Sequence, residues 1–261
     1  MLDERTVEVL ALKLMKAEES RVPIDPISES YELGIDDAYR IQLKGVELKR
    51  EKGMVVVGKK IGLTSKRMQE YFGVYEPDYG HIMDKMMVFE GQPISLSELI
   101  QPKVEAEIAF YLEKELKGPG VNVASVLDAT KWIMPAIEVI DSRIRDWKIK
   151  VEDSIADNGS SARVVLGGRA VEPLGVDLKH IGMAFERNGE VVATGVGAEV
   201  LGNPAQSVAW LANKLSEFGV SLGKGEVVIS GSLIPAVDVS PNDHFRATFD
   251  HLGSVSVKFV A

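Results

Sequence analysis

The most regular alternation of apolar and polar positions in the chain runs from Lys103 to Leu112. Every second residue is apolar, and this period of two predicts a β-strand with one face packed into a core. Glu105 and Glu107 fall together on the opposite face. That face is either the wet side of an amphipathic strand or an acidic site inside the protein, and the alternation alone leaves both open.

Helical periodicity dominates the first fifty residues, whereas β-type patterns dominate the rest. Helices are predicted at 3–19, 36–52, 65–72 and 123–131 and after Asn203, with Asp3, Asp36 and Asn203 as N-caps. Strands are predicted at 54–65, 86–89, 132–140, 163–166, 226–233, 244–250 and 254–260, with a hairpin over 182–193. Residues 75–83 are predicted as a loop and 144–156 as an irregular excursion.

These elements predict an α+β fold, a mixed β-sandwich or roll, because several β runs occur with few helices between them. Residues 1–53 form a small N-terminal helical subdomain in this prediction, and 54–261 form a β-rich domain onto which it packs.

Composition narrows the functional class. A net charge of −9 argues against a nucleic-acid or anionic-membrane partner, since both require basic surface. The absence of cysteine excludes disulfides, thiolate metal sites and cysteine nucleophiles. The acidic N-terminus is unlike a signal peptide, and no apolar run reaches the ~18 residues of a membrane span. We therefore expect a cytoplasmic protein with no membrane partner.

A third carboxylate strengthens the interpretation of an interior acidic site. Glu138 lies inside the apolar run 132–140, where a charge needs a compensating partner. A hard divalent cation would remove the cost of burying such carboxylates, because Mg²⁺ and Mn²⁺ prefer oxygen ligands. The hypothesis is a metal site made of Glu105, Glu107 and Glu138.

Other chemistry is weakly supported. The glycines around Lys60 lack the spacing of a phosphate loop, and Ser230-Gly-Ser232 lacks the nucleophile-elbow pattern. The histidines, four in number, are scattered without zinc-ligand spacing. Lys60 itself is either a charge at a strand edge or a cation aimed at an anion. The polar cluster 157–161 is either a plain Asn-Gly turn or a binding loop at a strand end.

Six sequence blocks together resemble the hydratase/decarboxylase branch of the fumarylacetoacetate hydrolase superfamily, and they span nearly the whole chain. The blocks are Gly58-Lys-Lys-Ile-Gly-Leu-Thr-Ser65, Glu76-Pro-Asp-Tyr-Gly80, Pro102-Lys-Val-Glu-Ala-Glu107, Pro135-Ala-Ile-Glu-Val-Ile-Asp-Ser-Arg143, Ala156-Asp-Asn158 and Gly253-Ser-Val-Ser256. Their order along the chain makes the resemblance specific. It implies the fold of that family, with the catalytic domain over 54–261.

The resemblance also implies a reaction and roles for residues. Mg²⁺ or Mn²⁺ on the three glutamates would bind 2-hydroxypenta-2,4-dienoate (2-oxopent-4-enoate), which ketonises and then adds water to give 4-hydroxy-2-oxopentanoate in aromatic meta-cleavage degradation. Lys60 binds the carboxylate or moves a proton, and Asp78 is the acid/base near the diene end. Asn158 and Ser160 are the expected substrate hydrogen-bonders. Gly159 departs from the Ala expected in relatives.

Alternatives remain within this resemblance. Asp146-Trp-Lys-Ile-Lys150 and Ile229-Ser-Gly-Ser-Leu233 favour the hydratase, but decarboxylation of 4-oxalocrotonate (2-oxohex-3-enedioate) would use the same metal motif. A non-catalytic partner subunit is the third interpretation, although it would be expected to lose a metal ligand or Lys60. The family implies a homo-oligomer, with a complex with the paralogous decarboxylase or hydratase also open. Arg143 is interpreted as a partner of Asp141 or of a neighbouring subunit.

Overall fold

A computed structural model describes the chain from Met1 to Ala261. Its α-helices are α1 (Glu4–Ser20), α2 (Ile27–Ser30), α3 (Ile35–Glu51), α4 (Lys66–Phe72), α5 (Val123–Ala129), α6 (Val151–Ala156) and α7 (Pro204–Ser216). Its strands are β1 (Val56–Gly62), β2 (Asp78–Met83), β3 (Met87–Phe89), β4 (Ile94–Ser95), β5 (Pro102–Leu112), β6 (Thr130–Asp141), β7 (Ser161–Leu166), β8 (Gly182–Arg187), β9 (Glu190–Val196), β10 (Val227–Ile229), β11 (Val237–Asp238), β12 (His244–Phe249) and β13 (Gly253–Val260).

The strands form two sheets, which confirms the predicted α+β class. The larger sheet has the order β2-β1-β10-β5-β6-β7-β3, with β11 pairing β5 beside that path. The smaller sheet has the order β4-β13-β12-β8-β9. Most neighbours are antiparallel, but three pairs are parallel: β1 with β10, β3 with β7, and β4 with β13. In these parallel pairs, strands that are distant in the sequence lie side by side.

The larger sheet has apolar residues on both faces. One face belongs to the main core, which also takes in α1, α3, α7 and the smaller sheet. The other face carries a second apolar cluster that includes Ala109, Ala136 and Ile229. The same face carries Glu107, because Glu107 precedes Ala109 by two positions on β5. An acidic group therefore borders an apolar interior.

The N-terminal helices share the main core with the strands. Val7 and Leu10 of α1 are 3% and 1% exposed and belong to the same cluster as Phe110 of β5. The division at residue 53 stays a prediction. None of the helices combines the length and hydropathy that crossing a bilayer requires.

Of the three N-caps that the sequence predicts, the structure confirms two. The side chain of Asp3 accepts a hydrogen bond from the Thr6 N–H at 2.9 Å, and that of Asn203 accepts one from Ala205. The prediction of Asp36 as an N-cap was wrong, since α3 begins after Gly34 and Asp36 lies in its first turn. An acid in the first turn is still favoured by the helix dipole.

Two segments differ from the sequence prediction. The segment predicted as a loop over 75–83 contains β2, whose six residues are all buried. Its Pro and Gly suggested a turn, but pairing with β1 and burial outweigh that local preference. The excursion 144–156 is irregular only in its first part, because residues 151–156 form α6.

Candidate active site

Strand register brings the three glutamates together. Glu105 on β5 pairs directly with Glu138 on β6, and Glu107 lies two positions further along the same face of β5. Like charges in directly opposed positions of an antiparallel pair repel. Carboxylate oxygens of all three residues lie within 4.8 Å of one another. The predicted cluster is therefore present.

Burial excludes the interpretation of a wet strand face. Glu107 and Glu138 are both 0% exposed, and Glu105 is only partly accessible. Oε1 of Glu107 and Oε2 of Glu138 have no hydrogen-bond partner in the protein. A buried acceptor without a hydrogen-bond partner lowers the stability of the fold. Two such oxygens in one cluster therefore point to a ligand that binds carboxylate oxygens.

The cluster fits a divalent cation. Oxygen ligands lie about 2.0–2.1 Å from Mg²⁺ and about 2.3–2.6 Å from Ca²⁺, so two ligands of one ion are separated by at most roughly 4.2 Å or 5.2 Å, respectively. The three ligand atoms lie within 4.8 Å of one another, inside the limit for Ca²⁺, and a closure of about 0.6 Å would bring them within the limit for Mg²⁺. A donor set of carboxylates alone also matches the preference of hard cations rather than of zinc or copper.

Electrostatics within the cluster favour the same conclusion. Burial raises the pKa of Glu105 to about 7, with Glu138 and Asp78 adding repulsion and Lys60 opposing it. Burial and the charges of Glu138 and Glu105 raise the pKa of Glu107 well above its usual range. A bound cation would reverse both effects, since an opposite charge favours the ionised carboxylates.

Lys60 is a buried cation in the acidic cluster, not a surface charge. Its Nζ lies 3.2 Å from Oε2 of Glu138, an ion pair without hydrogen-bond geometry, and donates to the carbonyl oxygen of Gly159 at 3.0 Å. Burial disfavours its charge, but the attraction of Glu138, Glu105 and Asp78 outweighs this and raises the pKa of Lys60. The ammonium form is therefore held beside the glutamates.

Asp78 lies at the start of β2, opposite Gly62 of β1, two positions from Lys60. A Cβ on Gly62 would approach Asp78 Oδ1 to 2.1 Å, so only glycine leaves room for this carboxyl. Ser154 of α6 donates to Oδ2 at 3.3 Å, a contact that sequence patterns did not indicate. Burial raises the pKa of Asp78, whereas the attraction of Lys60 and the hydrogen bond from Ser154 lower it.

Asn158 and Ser160 lie beside the site, but their side chains bond within the protein. Asn158 accepts from the His81 N–H at 2.8 Å and donates to the His81 carbonyl at 2.9 Å, which ties its loop to β2. The Ser160 hydroxyl donates to Asp157 at 3.1 Å. Their role in substrate binding stays a prediction, and the contact from this loop to Lys60 is the Gly159 carbonyl.

Backbone conformation explains how the loop reaches Lys60. Asn158, Gly159 and Ser160 have φ values of 59°, 58° and 54°, three left-handed residues in succession. A plain Asn-Gly turn does not require a left-handed conformation at Ser160. That conformation costs roughly 1–2 kcal/mol in a residue other than glycine. A Cβ on Gly159 would lie 3.0 Å from Lys60 Cδ, so the glycine accommodates the lysine.

Arg143 anchors the loop from behind. Its Nε donates to Asp157 at 2.6 Å, and its Nη1 donates to the carbonyls of Asp141 and Ser161. The predicted partner Asp141 is thus contacted only through its backbone, and its carboxylate instead accepts from the N–H groups of Ile100 and Gln101. Arg143 and Asp157 are buried and bond to each other through side chain and backbone, so the pair holds the loop in place.

His81 lies behind the same loop in a neutral state. Gln42 donates its amide to the carbonyls of Tyr79 and Ile155, so its oxygen faces His81 Nδ1 at 3.1 Å and requires a proton there. Burial, with a smaller effect of Lys59, lowers the pKa of His81 to about 3.

We expect this histidine to destabilise the protein in acid. The unfolded chain takes up a proton below about pH 6.5 whereas the folded chain does so only near pH 3, so stability falls as pH decreases through that window. Between pH 7 and pH 5 the loss from this residue is about 2 kcal/mol. The variant His81→Asn keeps a donor near Nδ1 without titrating. Urea unfolding at both pH values measures the difference, and an equal acid loss in both proteins would contradict the assignment.

Comparison with known proteins supports the same assignment. The family model of the fumarylacetoacetate (FAA) hydrolase C-terminal domain matches residues 68–260. The 2-hydroxypent-2,4-dienoate hydratase of Pseudomonas putida is 46% identical over 84% of this chain and all of its own length. The 2-hydroxyhexa-2,4-dienoate hydratase of Comamonas testosteroni is 41% identical over 99% of each chain.

A solved structure extends the likeness to the whole fold. The 4-oxalocrotonate decarboxylase of Pseudomonas putida G7, complexed with magnesium and adipate, superposes with a TM-score of 0.97 at 38% identity, covering 100% of this chain and 99% of that one. Matching sequence, matching fold and a buried carboxylate cluster agree. The chain belongs to the fumarylacetoacetate hydrolase family.

Proposed function

We propose that the protein is a lyase that depends on Mg²⁺ or Mn²⁺ and hydrates 2-hydroxypenta-2,4-dienoate to 4-hydroxy-2-oxopentanoate. The observation that carries the proposal is the buried cluster of Glu105, Glu107 and Glu138, with Lys60 and Asp78 beside it. Hydratases of such dienoates are among its full-length relatives. The three glutamates would hold the cation, whose chemistry is that of a Lewis acid toward the 2-oxygen of a 2-oxo acid.

Lys60 provides the positive charge for the substrate carboxylate. It is the ammonium in contact with Glu138, and its bond to the Gly159 carbonyl fixes its direction. A fixed charge in a buried site stabilises an anion more than a mobile surface lysine does. Lys60 thereby orients the substrate and offsets the negative charge that grows on the 2-oxygen.

Asp78 moves the protons in this proposal. As the acid, Asp78 donates a proton to C5 of the dienol while the 2-hydroxyl proton leaves to solvent, which yields an α,β-unsaturated ketone. As a carboxylate it then accepts a proton from the water that adds at C4, and solvent returns a proton to C3 of the resulting enolate. Ser154, which donates to Oδ2, holds the carboxyl in place during both steps.

Decarboxylation of 4-oxalocrotonate is the second candidate, because the decarboxylase structure superposes over the full chain. A direct product assay separates the two. The purified protein with Mg²⁺ receives 2-hydroxypenta-2,4-dienoate and, separately, 2-oxohex-3-enedioate. The expected result is 4-hydroxy-2-oxopentanoate from the first. Release of CO₂ from the diacid without hydration of the dienoate would overturn the hydratase assignment.

Assembly and location complete the proposal. We propose a cytoplasmic homo-oligomer, with the paralogous decarboxylase as a further partner; family membership supports the assembly, and the net charge of −9 disfavours nucleic-acid and anionic-membrane partners. Light scattering on the purified protein, alone and mixed with that decarboxylase, measures both associations. A monomer that does not bind the decarboxylase would contradict this part.

A further inference from the structure

Two of the three clustered glutamates are oriented by a hydrogen-bond donor on one oxygen only. The Ser161 hydroxyl donates to Oε1 of Glu138 at 2.6 Å, and the Gly231 N–H donates to Oε2 of Glu107 at 2.7 Å. In each residue the other oxygen has no hydrogen-bond partner. The donors thus fix which oxygen of each carboxylate faces the cluster.

A β-bulge puts Ser161 in this position. Glu138 pairs with Val164 and Val139 with Arg163, but Ile140 pairs with Ser161, which leaves Ala162 as the extra residue. Regular alternation backward from Val164 would have placed Ala162 on the face of Glu138. Instead Ala162 packs into the main core, whereas Val164 lies in the second apolar cluster. Bulges beside sites commonly redirect a side chain in this way.

Ser161 is also built into the loop that holds Lys60. It directly follows the left-handed residues 158–160, and its own carbonyl accepts from Arg143 Nη1 at 3.1 Å. Ser161 is 3% exposed, so water does not compete for Glu138. One short segment, 159–161, therefore contacts both the cation Lys60 and the carboxylate Glu138.

We infer that Ser161 is a positioning residue for the metal ligand Glu138: its hydroxyl holds Oε1, so that Oε2 stays directed into the cluster for a divalent cation. The backbone N–H of Gly231 does the same for Glu107. This inference rests on the metal site of the proposed function. Partners that orient metal ligands typically change metal affinity by about 10- to 100-fold when removed.

The test is Mn²⁺ binding by the full-length, metal-free protein, measured by calorimetry and by the Mn²⁺ electron paramagnetic resonance signal, with no substrate. Ser161→Ala is expected to weaken Mn²⁺ binding by about 10- to 100-fold. Ser161→Cys, which has nearly the same volume but a weak donor, is expected to weaken it as well and serves if the alanine variant does not fold. Wild-type affinity in a folded variant of either kind would overturn the inference.

A matched control separates positioning from general destabilisation. Ser207 in α7 is 0% exposed and donates to the carbonyl of Pro204, so Ser207→Ala removes a buried serine hydroxyl that bonds within its own helix and not to a glutamate. It is expected to lower the unfolding temperature while leaving Mn²⁺ affinity at the wild-type value. Equal loss of affinity in Ser207→Ala would overturn the inference. If the wild-type protein itself did not bind Mn²⁺, the proposed metal site would fail first.

Discussion

Glu105→Gln is expected to lower kcat/KM for the dienoate by at least about 10³-fold, the largest effect of any single change here. Glutamine keeps the shape of the side chain but is a neutral and much weaker ligand. Unlike Glu107 and Glu138, the Glu105 carboxylate receives no hydrogen bond from the protein that could hold a weaker ligand in place. Glu105 also lies directly opposite Glu138. Activity with saturating Mg²⁺ and Mn²⁺ measures the loss.

The same variant should be more stable than the wild type without metal. Burial and repulsion from Glu138 raise the pKa of Glu105 to about 7, so removing its charge relieves a cost of folding. The metal-free unfolding temperature is expected to rise, and the further rise on adding Mn²⁺ should disappear. Glu226→Gln, which breaks an ion pair with Lys59 outside the cluster, is the control and should keep its activity. Full activity in Glu105→Gln would refute the metal site.

Lys60→Met is expected to lower kcat by about 10²- to 10³-fold, the range for removing one fixed group that stabilises charge developing in the transition state. Lys60→Met should raise the affinity for the metal ion, whereas Glu105→Gln should lower it. Lys60 repels a cation at the glutamates, since its Nζ lies 3.2 Å from Glu138. Removing it leaves the cluster more negative, so Mn²⁺ should bind more tightly although catalysis is lost.

The neighbouring lysine provides the control. Lys59 is equally buried at 4% exposure but points to the other face of β1 and pairs with Glu226 at 2.8 Å. Lys59→Met should destabilise the fold without changing Mn²⁺ affinity or kcat by more than a few-fold. Weaker Mn²⁺ binding in Lys60→Met, or equal loss of kcat in both variants, would contradict the role given to Lys60.

Local patterns predicted most elements, but they missed the buried strand β2. Alternation found β5 within one residue, and capping chemistry placed Asp3 and Asn203 correctly. The segment 75–83 failed because its Pro and Gly dominate the local signal, whereas long-range pairing with β1 makes it a strand. Such pairing depends on residues distant in sequence, which no local window contains.

The candidate site shows the same division. The chain by itself determined that Glu105 and Glu107 share a face, because the period of a strand is two, and the apolar surroundings of Glu138 marked it as unusual. Only the tertiary structure decided that these residues are buried together, since the register of β5 against β6 sets Glu105 opposite Glu138. The tertiary structure also decided that Ser161, and not Ala162, bonds to Glu138. The extra residue at the β-bulge of β7 places Ser161 on the face of the sheet that carries Glu138.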